Sequence, residues 1–394
     1  MGLRSMSTGQ RDIAYYLETA HALADQISAH TDRIDSERRL PSEITNEMAD
    51  KGLFRLLVPR SLGGAELEHP EFLKIVEIFA EVDASTAWCV NQNNVFATNS
   101  TRMPKSTAKM LYKNPRLVIT NGPPTPASQA VPTDGGYRLS GRWNFSSGIP
   151  HATWVAALTP VRRPGEPLRP LSDRSTSRIF LVPKKDVRLI DTWDVVGLRG
   201  TGSFSFEIDD LFVPEAHTFN PASQPSEDGP LYCVPAMLFF AAGFSTVALG
   251  AARAALSAVI ELSKTRVEML VGHAFRDLSA TQRMVGEAEA IWGAAKAYLH
   301  EAVATVWASA CKHRSLSDEE RIRLRLAGTH GIRCACQVVD IAYALGGSGS
   351  IFASSPVQRR FRDVHTITQQ IQGRLSHYDT AGQFFLGLEP EGLF

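Results

Sequence analysis

The chain has 394 residues, 44% hydrophobic and 21% charged, which is enough apolar material for two or three packed units and too much for a disordered polymer. Its 41 basic and 41 acidic residues cancel, so no excess positive field is available to hold a nucleic-acid backbone or an anionic lipid surface. No uninterrupted apolar run reaches about 18 residues and the opening MGLRSMSTGQR has no apolar signal core, so the expectation is a cytoplasmic protein without a membrane span.

From Arg11 to about Lys113 apolar residues recur at helical spacing, as in Ile13, Leu17 and Ala20, or Phe72, Ile75, Val76 and Phe79. This predicts an N-terminal helical domain over residues 1–114. After Asn114-Pro115 the period becomes two: Tyr137, Leu139, Trp143 and Phe145 alternate with polar residues, as do Phe204, Phe206 and Ile208. TWVAALTPV, SRIFLVP and VRLIDTW are further short strand-like runs, which predicts a middle antiparallel β-domain over 115–228. The Pro/Arg-rich stretch from Pro160 to Arg174 reads as an exposed hairpin loop.

Helical spacing returns in four long segments, near 231–271, 279–313, 317–345 and 356–387. Their length predicts a C-terminal four-helix bundle over 229–394, so the fold class is α+β, mainly α. Cys89, Cys233, Cys311, Cys334 and Cys336 are odd in number, and the close pair would point to different faces of a helix. Neither a disulfide nor a metal site is expected from them.

Three stretches carry candidate chemistry. GRWNFSSGIPHATW runs a strand into a turn where Ser146, Ser147 and the backbone around Gly148 can contact a planar, hydrogen-bonding ligand, while His151 reads as a turn histidine. GLRGTGS places Arg199 among Gly197, Gly200 and Gly202, but its G-x-x-G-x-G spacing before a strand excludes a Rossmann phosphate loop. ALGGSGSIF is a helix cap that also suits an anion.

In order along the chain, GLFRLLVPRSLGG (52–64), DASTAW (83–88), GRWNFSSGIPHATW (141–154), GLRGTGS (197–203), LFVP (211–214) and GGSGSIFASSPVQRRFRD (346–363) resemble the acyl-CoA dehydrogenase superfamily and, within it, the flavin-dependent monooxygenase branch. The resemblance implies a homotetramer using reduced flavin, FMN or FAD, with O2. The flavin would come from a separate NAD(P)H-dependent flavin reductase, and a flavin C4a-hydroperoxide would hydroxylate a small aromatic, nitrogen or sulfur substrate. It further implies that Phe145, Ser146 and Ser147 line the flavin ring, that Arg266 and Gln282 reach the phosphates of a neighbouring subunit's flavin beside Gly346, Gly347 and Ser348, and that Arg199 lies near the substrate.

The dehydrogenases of that superfamily place a catalytic carboxylate about nine residues after an Arg-Asp step or in the first bundle helix. Those places hold Ile371 and an uncharged segment from Leu231 to Ala252. The hydroxylases commonly place a histidine where this chain has Gln370, and a second polar residue where it has Asn91-Gln92-Asn93-Asn94. Amides orient a substrate but do not titrate near neutral pH.

On a helix His365 would lie about 140° from Gln370, a supporting or surface place, and His377, which follows an expected helix irregularity around Gly373, is likewise expected at the surface. Gln370, Ser147 and Arg199 are thus the candidate catalytic residues. Two other readings stay open: a dehydrogenase or oxidase with a relocated base, and a flavin-fold binding protein with little turnover.

Overall fold

The computed structural model describes residues 11–162, 177–267, 272–392 and 394, so most of the expected Pro/Arg-rich loop lies outside the described residues. Helices α1 (Ile13–Glu37), α2 (Ser42–Asp50), α3 (His69–Val82), α4 (Ala84–Ala97) and α5 (Lys105–Tyr112) come first. Asp12 caps α1 by accepting from the Tyr15 N–H, and Asp83 caps α4 by accepting from the Thr86 N–H, which explains the DAST start. Tyr16, Ala20, Leu23, Ala24 and Ile27 form the buried stripe of α1.

Among the described residues eight strands follow: β1 (Ile119–Gly122), β2 (Gln129–Thr133), β3 (Gly136–Trp143), β4 (Trp154–Pro160), β5 (Ser177–Pro183), β6 (Arg188–Ile190), β7 (Ser205–Pro214) and β8 (Thr218–Phe219). They form two four-stranded sheets, ordered β1-β4-β5-β8 and β2-β3-β7-β6. Trp143 of β3 stacks on Phe206 of β7, ring centroids 5.1 Å apart. One pairing departs from the antiparallel expectation: β1 runs parallel to β4, because the chain crosses into the second sheet as β2 and β3 before it returns.

After the short α6 (Pro230–Cys233), the bundle consists of α7 (Ala236–Thr265), α8 (Ser279–His313), α9 (Asp318–Gly346), α10 (Pro356–Thr368) and α11 (Ser376–Phe385). By length and composition α7 would suit a membrane, yet it packs against α3, α4, α9 and α10 and is mostly buried. Gly243 lets α4 approach, since a Cβ there would run into the Asn91 side chain.

The expected last helix, 356–387, is interrupted. Gln370 is extended at φ −78° and ψ 155°, its Oε1 accepts from the Gln372 N–H at 2.6 Å, and a Cβ at Gly373 would sit 2.8 Å from the Thr368 carbonyl oxygen. Gln370 therefore lies past the helix end, and the 140° relation to His365 does not apply. His377 is buried rather than exposed: its Nδ1 is 2.8 Å from Thr329 Oγ1, and burial pushes its pKa down to about 4. Buried Arg325 donates to Gln372 Oε1 and supports this turn from α9.

The Arg-Asp step of α10 is a latch. Asp363 Oδ1 accepts from the Leu198 N–H at 2.6 Å, Arg362 Nη1 donates to the Val196 carbonyl at 2.7 Å, and a Cβ at Gly197 would collide with the Arg362 carbonyl oxygen. The glycine is required for that approach, and the latch fixes the 197–203 loop on the bundle. Burial raises the Asp363 pKa to about 7; the Leu198 N–H and Arg359 oppose the rise, and Asp83 and Asp35 add to it.

Between about pH 4 and pH 7 the folded chain therefore keeps a proton that the unfolded chain has released, so stability falls as pH rises, by up to about 4 kcal/mol in all. In Asp363→Asn, which keeps an acceptor for Leu198, this loss is absent. Denaturant titrations should show the variant gaining on the wild type from about pH 5 to about pH 7.5; a constant difference would mean that Asp363 is already ionised in the fold.

Candidate active site

The turn after β3 lies between the sheets, α4 and the latched loop. Asn144 N–H donates to the Pro123 carbonyl at 3.0 Å, and Asn144 Oδ1 accepts from Ser205 Oγ at 2.9 Å. Phe145 follows at φ 54°, in the left-handed region that disfavours a bulky residue; the residue is 62% exposed and its ring makes an edge contact with Trp193. Ser146 donates its N–H to the Phe204 carbonyl at 3.1 Å, while its buried Oγ has no partner. That orphaned hydroxyl beside an exposed aromatic ring marks a place for a ligand with a polar edge.

Ser147 takes part in a relay whose direction is fixed by its ends. Trp88 Nε1 can only donate, and does so to Ser147 Oγ at 2.9 Å; the Leu198 carbonyl can only accept, and does so from Thr201 Oγ1 at 2.9 Å. Ser147 must then donate to Ser203 at 2.8 Å, and Ser203 to Thr201 at 2.6 Å. Every hydroxyl proton in the chain is committed, so Ser147 holds the turn in place and has no free proton for substrate.

Arg199 does not turn toward this place. Its Nε donates to the Asp35 carbonyl at 3.0 Å and its Nη1 to the Val195 carbonyl at 2.9 Å, with the Asp35 carboxylate 3.6 Å away. The expected substrate neighbour is instead a tie between the loop and α1. Gln370 is half-buried, with its Oε1 spent on the turn after α10.

The amide run on α4 is largely connective. Asn94 accepts from the Leu56 N–H and donates to the Leu53 and Val90 carbonyls, and Asn93 donates to the Ile119 carbonyl. Asn91, fully buried against Gly243, has no partner for either amide atom. Gln92 Nε2 donates to Asn121 Oδ1 at 2.9 Å, on the strand whose Gly122 lies beside Ser146 Oγ.

Asn121 and Trp193 escaped the sequence reading. The first sits in a strand too short to show a period; the second lies 48 positions from the Phe145 that it touches. Trp88 also stacks on Phe244 at 3.8 Å, with Phe240 continuing the row, so an aromatic wall joins α4 to α7. His151 stacks on Phe54 and lies 3.3 Å from Asn93 Oδ1; burial, helped by Lys184, pushes its pKa down to about 3, so it is neutral in ordinary conditions.

Two buried carboxylates stand at this junction and both are structural: Asp363 holds Leu198, and Asp83 accepts from the Thr86 N–H and Oγ1, each at 2.7 Å. Ile371 and the uncharged first half of α7 leave no acidic side chain at either place where the dehydrogenases carry their base.

The other expected cofactor residues gather at the far end of α7. Arg266 Nη1 donates to the Gly346 carbonyl at 2.7 Å beneath Gly347, which is at φ 56°, and the guanidinium lies over Phe275. Ser348 and Gln282 are exposed, Gln282 donating to the Arg276 carbonyl. Arg266 follows Phe244 by a distance of about 30 Å along the helix axis, so one chain does not bring this group to the Ser146 turn.

Residues 14–104 match the family model of the acyl-CoA dehydrogenase N-terminal domain and residues 242–373 that of the C-terminal domain. An indole-3-acetate monooxygenase from Pseudomonas putida is 29% identical over 92% of this chain and 91% of its own length. The oxygenase component of an FADH2-dependent resorcinol hydroxylase from a Rhizobium species is 28% identical over 94% of each chain. The structure of XiaF from a Streptomyces species, in complex with FADH2 and glycerol, superposes with a TM-score of 0.88 at 25% identity, covering 97% of both chains. The chain belongs to the acyl-CoA dehydrogenase superfamily, in its flavin-dependent monooxygenase branch.

Proposed function

We propose that this protein is the oxygenase component of a two-component flavin-dependent monooxygenase, which uses reduced flavin and O2 to hydroxylate a small aromatic, nitrogen or sulfur substrate. A separate NAD(P)H-dependent reductase supplies the flavin, in keeping with the component naming of the resorcinol hydroxylase. The observation that carries the reading is the lack of a carboxylate where a dehydrogenase needs its base: among the described residues Ile371 and the uncharged first half of α7 stand there, and the buried Asp363 and Asp83 each hold a backbone N–H instead.

The residues fit a flavin. The unpartnered Ser146 Oγ can bond a polar ring edge, and the exposed Phe145, backed by the buried Trp193, offers aromatic surface beside it. When bound, reduced flavin would supply the two electrons with which O2 is split, one oxygen atom of O2 entering the substrate and the other leaving as water. The protein's share is to bind, orient and exclude water: the Trp88–Phe244–Phe240 wall and the uncharged part of α7 keep the junction dry.

Gln92, Asn121 and Gln370 can orient a substrate by hydrogen bonds and cannot remove its proton. The reading therefore favours substrates whose reacting atom is already nucleophilic.

The distance of about 30 Å between the two groups on α7 favours a site shared by two copies, within a homotetramer. Ser146 and Phe145 of one chain would face the ring, and Arg266 with Gly346 and Gly347 of another the phosphate. Ser146→Ala and Arg266→Ala should each weaken binding of oxidised FMN or FAD, about 3- to 10-fold for Ser146 and by more for Arg266, read from quenching of flavin fluorescence. Coexpression of the two variants should restore about a quarter of the tight sites if the groups act across chains. No tight sites in the mixture would place both groups on one flavin of one chain.

Mixed anaerobically with protein and then with oxygen, reduced FMN or FAD should return to its oxidised absorbance more slowly than free flavin does. With an aromatic, amine or sulfide substrate, label from 18O2 should enter the product. Rapid bleaching of bound oxidised flavin by an acyl-CoA would instead support the dehydrogenase reading.

If Gln370 faces the substrate, Gln370→His should introduce a new ionisation near neutral pH into the rate profile. An unchanged profile in the folded variant would confine Gln370 to its capping role.

A further inference from the structure

Where α9 packs against α10, three side chains converge that no step above uses. Cys336 and Asp340, one turn apart on α9, face His365 of α10. His365 Nε2 is 2.8 Å from Asp340 Oδ1, and Cys336 Sγ is 3.7 and 3.8 Å from the two ring nitrogens and 4.0 Å from Asp340 Oδ2.

Zinc held tetrahedrally at its usual bond lengths to sulfur, nitrogen and oxygen requires these atoms to lie about 3.4–3.6 Å apart. Taken as one ligand atom from each side chain, the three lie within 4.8 Å of one another, so side-chain rotation has to draw them together by about 1 Å to reach that figure. A hydrogen bond between Asp340 and His365 accounts for the 2.8 Å contact; it leaves the thiol unexplained. Phe361 lies 4.2 Å from the imidazole and Tyr343 packs behind it, which limits the ring's freedom.

We propose that Cys336, Asp340 and His365 form a binding site for a borderline-soft divalent metal, zinc first, with the fourth position open to solvent. Sulfur and nitrogen donors disfavour magnesium and calcium, which take oxygen ligands. His365 and Asp340 are 40% and 51% exposed, so the ion has a path in. As the sulfur–metal bond forms, the thiol proton leaves to solvent; burial and Asp340 push the thiol up to about 11, and the metal's charge overcomes this. Arg333, whose charge also acts on Cys336, donates to the Gly373 carbonyl.

Cys334, despite its closeness in sequence, faces His330 at 3.3 Å and is outside the site. The lone thiol that spacing had set aside thus gains its partners from a second helix. Bound metal would clip α10 to α9, holding the helix that carries the Asp363 latch.

The test uses the full chain after chelator treatment, titrated with ZnCl2 and with CoCl2 as a spectroscopic probe. The expected result is one metal per chain, a thiolate-to-cobalt charge-transfer band in the near ultraviolet, and a melting temperature raised by zinc and unmoved by MgCl2. Cys336→Ala should abolish the band and His365→Ala should weaken zinc binding by more than about tenfold, while Cys334→Ala changes neither. Should Cys336→Ala fail to fold, Cys336→Ser removes the soft donor at nearly constant size. No zinc-dependent rise in melting temperature, or a band that survives Cys336→Ala or Cys336→Ser, overturns the proposal.

Discussion

Between Leu231 and Ala252 the chain carries no charged side chain because the helix that it forms is enclosed by α3, α4, α9 and α10. An ionised group there would lose its hydration and find no partner, at a cost of several kcal/mol. The same enclosure brings Phe244 against Trp88, and Trp88 in turn holds Ser147, so the geometry of the turn is inherited from the packing of the helix. A dry junction whose helix wall carries no charge suits chemistry in which a bound cofactor reacts with oxygen and the protein contributes exclusion and orientation.

Polar residues at this junction divide by whether their bonding capacity is already used. The hydroxyl protons of Ser147, Ser203 and Thr201 are committed within the chain, and Arg199, Asp363 and Asp83 are each tied to backbone groups, which makes them scaffold. Ser146 Oγ and the Asn91 amide are buried without partners. Asn91 lies against Gly243 inside the packing, whereas Ser146 adjoins the exposed Phe145 ring, which is why the turn rather than the helix is read as the ligand face.

The helices were legible in the sequence because their buried stripes have the helical period, as in Tyr16, Ala20, Leu23 and Ile27, and β3 and β7 because they alternate. Strand β1 was not, since ITNG has four residues and no alternation, and its parallel pairing depends on a return path that no local pattern encodes. Gly373 signals the irregularity after α10, but its start at Gln370 was not legible, because a side-chain cap sets it. The fate of Ser147 and Arg199 was illegible for another reason: Trp88 and Asp35, which occupy them, stand 59 and 164 positions away. Which residue types gather at a site can be read along a chain, but whether they are free to act depends on contacts across it.

Phe145 holds a backbone conformation that costs a phenylalanine roughly 1–3 kcal/mol and a glycine almost nothing. Most of its ring remains in water, so packing returns little of that cost. A search for tougher variants of this protein would therefore reach glycine at 145 early, and would delete the exposed ring in the same step. At this one position durability and ligand contact pull against each other, and gains in melting temperature obtained there would be bought with the aromatic surface beside Ser146.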